Sequence, residues 1–183
     1  LAGYYAKRMG LPVNKLICAS NENNVLTDFI RTGVYNKNRD FRVTASPSMD
    51  ILISSNLERF LYDVAGKDCS TVKGYMDALA TDGKYEVSAD MKEKISEILW
   101  GGCCDDNDTL LTVKDTFESY GYIMDTHTAV GKNVYDQYLF ETEEEYELAL
   151  SEKKKIQYID EHADYRAVEN VAVLYKKMVD TCM

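Results

Sequence analysis

At 183 residues and 45% hydrophobic content, with no apolar run long enough to span a bilayer, the chain has room for one real core and at most a small satellite. A net charge of −10 argues against nucleic acid as partner, because a protein that binds its backbone needs an excess of cations. The five cysteines are odd in number and irregularly spaced, so they are read as reduced thiols rather than a disulfide framework. Leu1 is not an initiator methionine and no charged-then-apolar signal follows it. The expected setting is therefore the cytoplasm, with the chain a piece of a longer one. Charge is uneven along it. Lys7, Arg8, Lys15, Arg31, Lys37, Arg39 and Arg42 outnumber the acids before residue 45, and the acidic surplus lies in the remainder. A locally basic end suits a small anionic substrate or a surface that meets another domain.

Residues 1–9 read as the end of a helix, with Gly10 just past its terminus and Pro12 preventing continuation. Residues 15–20 form a short apolar run suited to a buried strand. Asn21 to Asn24 supply turn and cap chemistry, and Val25, Leu26, Phe29 and Ile30 give the next helix its buried side. Strand, polar turn and helix make the repeating unit of a doubly wound α/β sheet. Ligands gather at the carboxyl ends of strands in such sheets, here Ser20 and Asn21. After a polar loop, residues 41–45 are a second strand candidate leading into the turn Ser46-Pro47-Ser48. Met49, Leu52, Ile53, Leu57, Phe60, Leu61 and Val64 then recur at helical spacing. They predict a buried helix whose polar first turn, with Asp50, is carried to where a ligand sits.

Residues 68–100 read as helical, with a break at Gly83, a cap at Ser88 and an end at Gly101-Gly102. Residues 105–120 form another amphipathic helix, with Leu110, Leu111, Val113 and Phe117 as its apolar positions. Residues 122–124 are a strand candidate, with Asp125-Thr126-His127-Thr128 at its carboxyl end before a further helix. From Glu141 the chain is charged and lacks Gly and Pro. Val168, Val171, Leu174, Tyr175 and Met178 predict a packed helix there, and Glu143 to Glu147 a solvated face. The organisation expected is a main portion, 1–140, with a helical insert near 68–100, followed by a helical tail, 141–183.

Three stretches carry a resemblance: Leu1-Ala-Gly-Tyr-Tyr-Ala-Lys-Arg-Met-Gly-Leu-Pro-Val, Lys15-Leu-Ile-Cys-Ala-Ser-Asn-Glu-Asn-Asn-Val-Leu-Thr-Asp-Phe, and Ser46-Pro-Ser-Met-Asp-Ile onward. Together they resemble bacterial threonine synthase. The similarity is dense to about Val64, returns at Gly121-Tyr-Ile-Met-Asp-Thr-His-Thr-Ala-Val130, and ends near Tyr138. It implies a fold type II pyridoxal-phosphate enzyme of the tryptophan-synthase β-subunit type, of which this chain is a helix-rich α/β part of the large domain. The family turns O-phospho-L-homoserine and water into L-threonine and phosphate, with the cofactor held by a lysine and acting as an electron sink. The lysine and the glycine- and asparagine-rich phosphate loop are expected before Leu1, in a missing N-terminal domain that would be the chain's partner. The Ser/Thr contact to the pyridine nitrogen is expected after the His127 helix, where the tail shows no matching segment. The chain alone is therefore expected to be inactive and not to hold pyridoxal phosphate.

What remains is the lining of half a site. The resemblance makes Asp125 and Thr126, with Ser46, Ser48 and Asp50, cofactor-facing, and the strand end makes Asn21 a substrate contact. Each also has a plain structural reading as a cap or turn residue. Arg39 and Arg42 suit recognition of a phosphate or a solvated surface. His127 reads as a packing histidine before a catalytic one. Cys103-Cys104-Asp105-Asp106 lacks the spaced second pair of a zinc site and the glycine and glutamate of a calcium loop, so no metal is expected. Two alternatives stay open: a non-catalytic interaction or regulatory module of the same fold, and another fold type II pyridoxal-phosphate lyase.

Overall fold

A computed structural model describes residues 1–142; the predicted tail helix and acidic face lie outside the described residues. The elements in chain order are α1 (Ala2–Arg8), β1 (Leu16–Ser20), α2 (Val25–Thr32), β2 (Val34–Asn36), a 3-10 turn (Pro47–Met49), α3 (Leu57–Val64) and α4 (Cys69–Thr81). They continue with β3 (Lys84–Glu86), α5 (Ala89–Ile98), β4 (Leu99–Cys103), α6 (Asp106–Tyr120) and α7 (Thr126–Glu141).

Strands β1 and β4 pair in parallel, from Leu16 opposite Leu99 to Ser20 opposite Cys103. The period-2 alternation of a strand decides what covers each face. Leu16, Cys18 and Leu99 turn toward a large core built on Val25, Phe29 and Ile30 of α2. Ile17, Ala19 and Trp100 turn the other way, onto Val130 and Val134 of α7. The result is a helix–sheet–helix layering, the local form of an open, doubly wound α/β sheet. Burial of Phe29 alone, at 0% exposure, is a gain of about 1.5–3 kcal/mol.

Gly101-Gly102 does not end a helix, as expected, but forms the middle of β4. The reason is proximity. A Cβ on Gly101 would stand 3.1 Å from the Thr27 Cα of α2, and one on Gly102 would stand 2.7 Å from Val134 Cγ1 of α7. Each glycine thus lets one helix close on one face of the strand. Side chains then hold the strand's carbonyls: Thr27 donates to Gly102 at 2.7 Å, Arg31 Nε to Gly101 at 2.8 Å, and Gln137 to Cys103 at 2.9 Å.

The second sheet is an antiparallel pair, Val34 opposite Glu86 and Asn36 opposite Lys84. Its buried tyrosines, Tyr35 and Tyr85, stack at 5.3 Å with Tyr75 of α4 on the far side. The break read at Gly83 does divide 68–100 into two helices, and the strand β3 occupies it.

The expected helix over 49–64 is divided. Only its second half forms, as α3, burying Leu57, Phe60, Leu61 and Val64 at i, i+3, i+4 and i+7. Residues 50–56 are irregular, and Ile53 is 54% exposed. Backbone groups there are diverted from helical partners: the Tyr35 hydroxyl accepts from Ser54 N and donates to the Leu52 carbonyl. Neither 41–45 nor 122–124 forms a strand. On α6 the buried face is Thr109, Thr112 and Thr116, while Leu110, Leu111 and Phe117, expected inside, are exposed. Thr109 and Thr112 return their hydroxyls to the carbonyls four residues back, so their burial leaves no polar debt and allows close packing on α7.

Two predictions follow from the packing. Leu57→Asp, which strands a charge in the α3 face, is expected to lose about 3 kcal/mol or more, whereas the exposed neighbour Glu58→Gln is nearly silent in thermal unfolding. Gly102→Ala is expected to lose about 1–3 kcal/mol by overpacking. Gly74→Ala in the middle of α4, where an added Cβ meets nothing within 4 Å, is expected to gain about 0.5–1 kcal/mol, and urea titration reads both glycine variants.

Candidate active-site wall

Three segments meet at the carboxyl ends of β1 and β4: 20–24 entering α2, 103–106 entering α6, and 125–127 at the start of α7. A fourth, residues 41–50, lies across them. What holds it is the side chain of Asn21, which is only 1% exposed. Its amide donates to Asp50 Oδ1 at 2.7 Å, with Thr44 Oγ1 at 2.8 Å and Ser46 Oγ at 3.0 Å also in reach. Its carbonyl oxygen accepts from Asn23 N at 2.9 Å. Asn23 repeats the pattern one step outward: its amide donates to Asp50 Oδ1 and the Arg42 carbonyl, and its oxygen accepts from Arg42 N.

Asp50 is the anionic centre of this cluster. Burial works against its ionised form, but the Thr44 N–H and hydroxyl, Asn21 and Asn23 all donate to it and hold its carboxyl below the usual carboxylate range. The buried polar groups are thus paired with one another, which is what makes their burial tolerable.

The helices fasten the same loop from the other side. Both carboxylate oxygens of Asp106, in the first turn of α6, accept from Ala45 N at 2.9 and 3.1 Å. Thr126 donates to the Ala45 carbonyl at 2.6 Å, and Ser48 N donates to His127 Nε2 at 3.2 Å. Beneath the 3-10 turn lies a recess of about 130 Å³ lined by Ala19, Ser20, Asn23, Val25, Ser48 and Met49. A larger groove of about 550 Å³, around Arg59, Tyr62 and Cys69, lies away from these strand ends and has no comparable polar network.

The residues singled out from sequence fall into three groups. Asn21, Ser46 and Asp50 are bonded together, and Thr126 and Ser48 are tied to the same loop. Asp125 is the cap of α7, accepting from His127 N at 2.9 Å, Thr128 N at 3.1 Å and the Thr128 hydroxyl. The Thr128 hydroxyl and backbone N–H, with the His127 donors, pull its carboxyl down to about 2. Arg39 stands apart. Its Nη1 donates to Asn24 Oδ1 and Asp28 Oδ2, both at 2.8 Å, and its Nε to the Asn36 carbonyl. Asn23, Thr44 and Asp106 were not singled out. The Asn-x-Asn spacing at a strand end was a usable signal for Asn23, but nothing local marks Asp106, 61 residues from the N–H it meets.

Cys104 is buried against Thr109, and burial pushes its thiol up. Among the described residues no group of three or more His, Cys, Asp or Glu is placed to hold a metal, and no helix is long and apolar enough to cross a membrane.

A parallel strand pair between helices, with polar loops gathered at its carboxyl end, defines a segment of an open α/β sheet at the end where such sheets bind ligands. No protein-family model matches the chain. Over 138 residues it is 43% identical to threonine synthase-like 1 of Homo sapiens, covering 75% of this chain and 19% of that protein. It is 40% identical to threonine synthase of Saccharomyces cerevisiae, covering 72% of this chain and 28% of that one. The crystal structure of PLP-bound threonine synthase from Brucella melitensis superposes with a TM-score of 0.72 at 38% identity, over 74% of this chain and 29% of that chain. By sequence and by fold, then, the chain resembles a segment of the threonine synthases. It spans between about a fifth and three tenths of the length of these relatives.

Removing the hub tests the network. Asn21→Ala is expected to lose about 1–3 kcal/mol, because buried Thr44 and Ser46 and half-buried Asp50 lose a shared donor, and urea unfolding measures it. The Asp125 cap has a pH signature. A folded carboxyl near 2 adds stability that is fully present above about pH 4, the unfolded value, and is lost as pH falls through about 2. Asp125→Asn keeps most of the cap at neutral pH and is expected to flatten thermal midpoints over that acid window.

Proposed function

We propose that this chain forms one wall of the active site of a pyridoxal-phosphate-dependent threonine synthase, which converts O-phospho-L-homoserine and water into L-threonine and inorganic phosphate. The observation that carries this reading is the Asn21–Thr44–Ser46–Asp50 network at the carboxyl end of β1, in a chain that shares sequence and fold with threonine synthases. Pyridoxal phosphate, when bound, supplies an electron sink for carbon acids next to nitrogen.

The described residues do not fit that group by themselves. The network contains no lysine, and its amides and carboxylate are engaged with one another. Their contribution is positioning: Asn21 and Asp50 hold the 41–50 loop, and Thr126 and His127 hold it against α7. Ser48, Thr126 and Asp125 are the members on the open side, and we assign the cofactor-facing surface to them. Arg39, paired with Asp28, would reach a substrate phosphate only by exchanging that partner. The rest of a threonine synthase chain is the partner that supplies the cofactor lysine and closes the cleft, and the cytosol is the setting this biosynthetic role fits.

The test combines this chain with the portion of the yeast enzyme that its alignment leaves uncovered. Phosphate release from O-phosphohomoserine is expected from the pair and not from either alone. Failure of the two to associate at micromolar concentration overturns the wall assignment. So does a single stoichiometric lysine adduct on the isolated chain after pyridoxal phosphate and borohydride.

A further inference from the structure

We propose that His127 is a positioning residue, locked in one tautomer between Asp125 and Ser48, that fastens the 46–49 turn to α7 only while its ring is neutral. The assignment follows from the polarity of its two partners. Ser48 presents a backbone N–H, which can only donate, so Nε2 at 3.2 Å must carry a lone pair. Asp125 Oδ1 is 3.2 Å from Nδ1 and belongs to an ionised carboxylate, which can only accept. The ring proton therefore resides on Nδ1. The alternative tautomer would set N–H against N–H on one side and lone pair against carboxylate on the other.

Protonation acts on the two sides in opposite directions. The imidazolium gains attraction to Asp125 but turns a second N–H toward Ser48, and that bond is lost. The side chain is 35% exposed, so protons reach it without unfolding. Asp125 is the titratable group in contact with the ring. The loop brings Asp50 and α6 brings Asp106 to the same region, and these carboxylates are committed to Thr44 N and Ala45 N respectively. Those two ties, with Thr126 on the Ala45 carbonyl, do not depend on the imidazole. Acid thus frees the turn that lines the recess under Ser48 and Met49 while residues 44–45 stay anchored.

This inference concerns the chain itself and can be tested without activity, so it stands or fails separately from the threonine synthase reading. In the full chain, labelled with 15N, the His127 ring at about pH 8 is expected to show a protonated Nδ1 and a bare Nε2. The Ser48 amide is expected to lose protection about three- to tenfold, after correction for intrinsic exchange, as His127 titrates. Thr44 and Ala45 amides are expected to hold theirs over the same range. His127→Gln places an untitratable acceptor near Nε2 and is expected to keep Ser48 protected across the range. His127→Leu is expected to expose it at every pH. A bare Nδ1 at pH 8, or Ser48 exchange that ignores the His127 titration, overturns the proposal.

Discussion

The constraint on which the structure rests is the thinness of β4. Two glycines in succession leave the middle of one strand without a side chain on either face, and α2 and α7 take the space. Without that, the strand could not lie between two helices at this separation, and its carbonyls would not meet Thr27, Arg31 and Gln137. Glycine in a strand is locally unfavourable, since it gives up entropy and has nothing to pack. Here the loss is offset by the two apolar faces that it allows to close. The parallel pairing with β1 follows, and with it the placing of three loops at one end.

At that end the governing force changes from apolar packing to polar satisfaction. Two amides, Asn21 and Asn23, are taken out of water beside the half-buried carboxylate of Asp50, and each must find its partners inside the protein. Asn21 can serve as the hub because an amide both donates and accepts. It meets Asp50 and Thr44 with one end and Asn23 N with the other. The loop it organises therefore needs no regular secondary structure. Its order comes from side chains of distant elements, which is a suitable way to build a surface that must be shaped but not stiffened by a ladder. The single-tautomer bridge of His127 belongs to the same scheme, with one difference: its acceptor nitrogen can be switched by a proton, whereas the donors around Asp50 hold its carboxyl below the usual carboxylate range.

The outer side of α6 is apolar and its inner side is not. Leu110, Leu111 and Phe117 on α6 and Ile123 beyond it are exposed, while small threonines fill the face toward α7.

The sequence by itself determined the strand at the start, the helices α2, α5, α6 and α7, the apolar spacing of α3, and the resemblance carried by the Asn21, Ser46 and Asp125 stretches. Those features are written locally, in cap residues, helical periodicity and short motifs. The tertiary structure decided that Gly101-Gly102 is strand, that residues 50–56 are not helix, and that α6 buries threonine in preference to leucine. It also decided the site. Asp106 meets Ala45 across 61 residues, His127 meets Ser48 across 79, and Thr126 meets Ala45 across 81. Periodicity states which side chains could be covered, but a hydrogen bond is satisfied by whichever group the fold brings within about 3 Å, and only the packed chain selects that group.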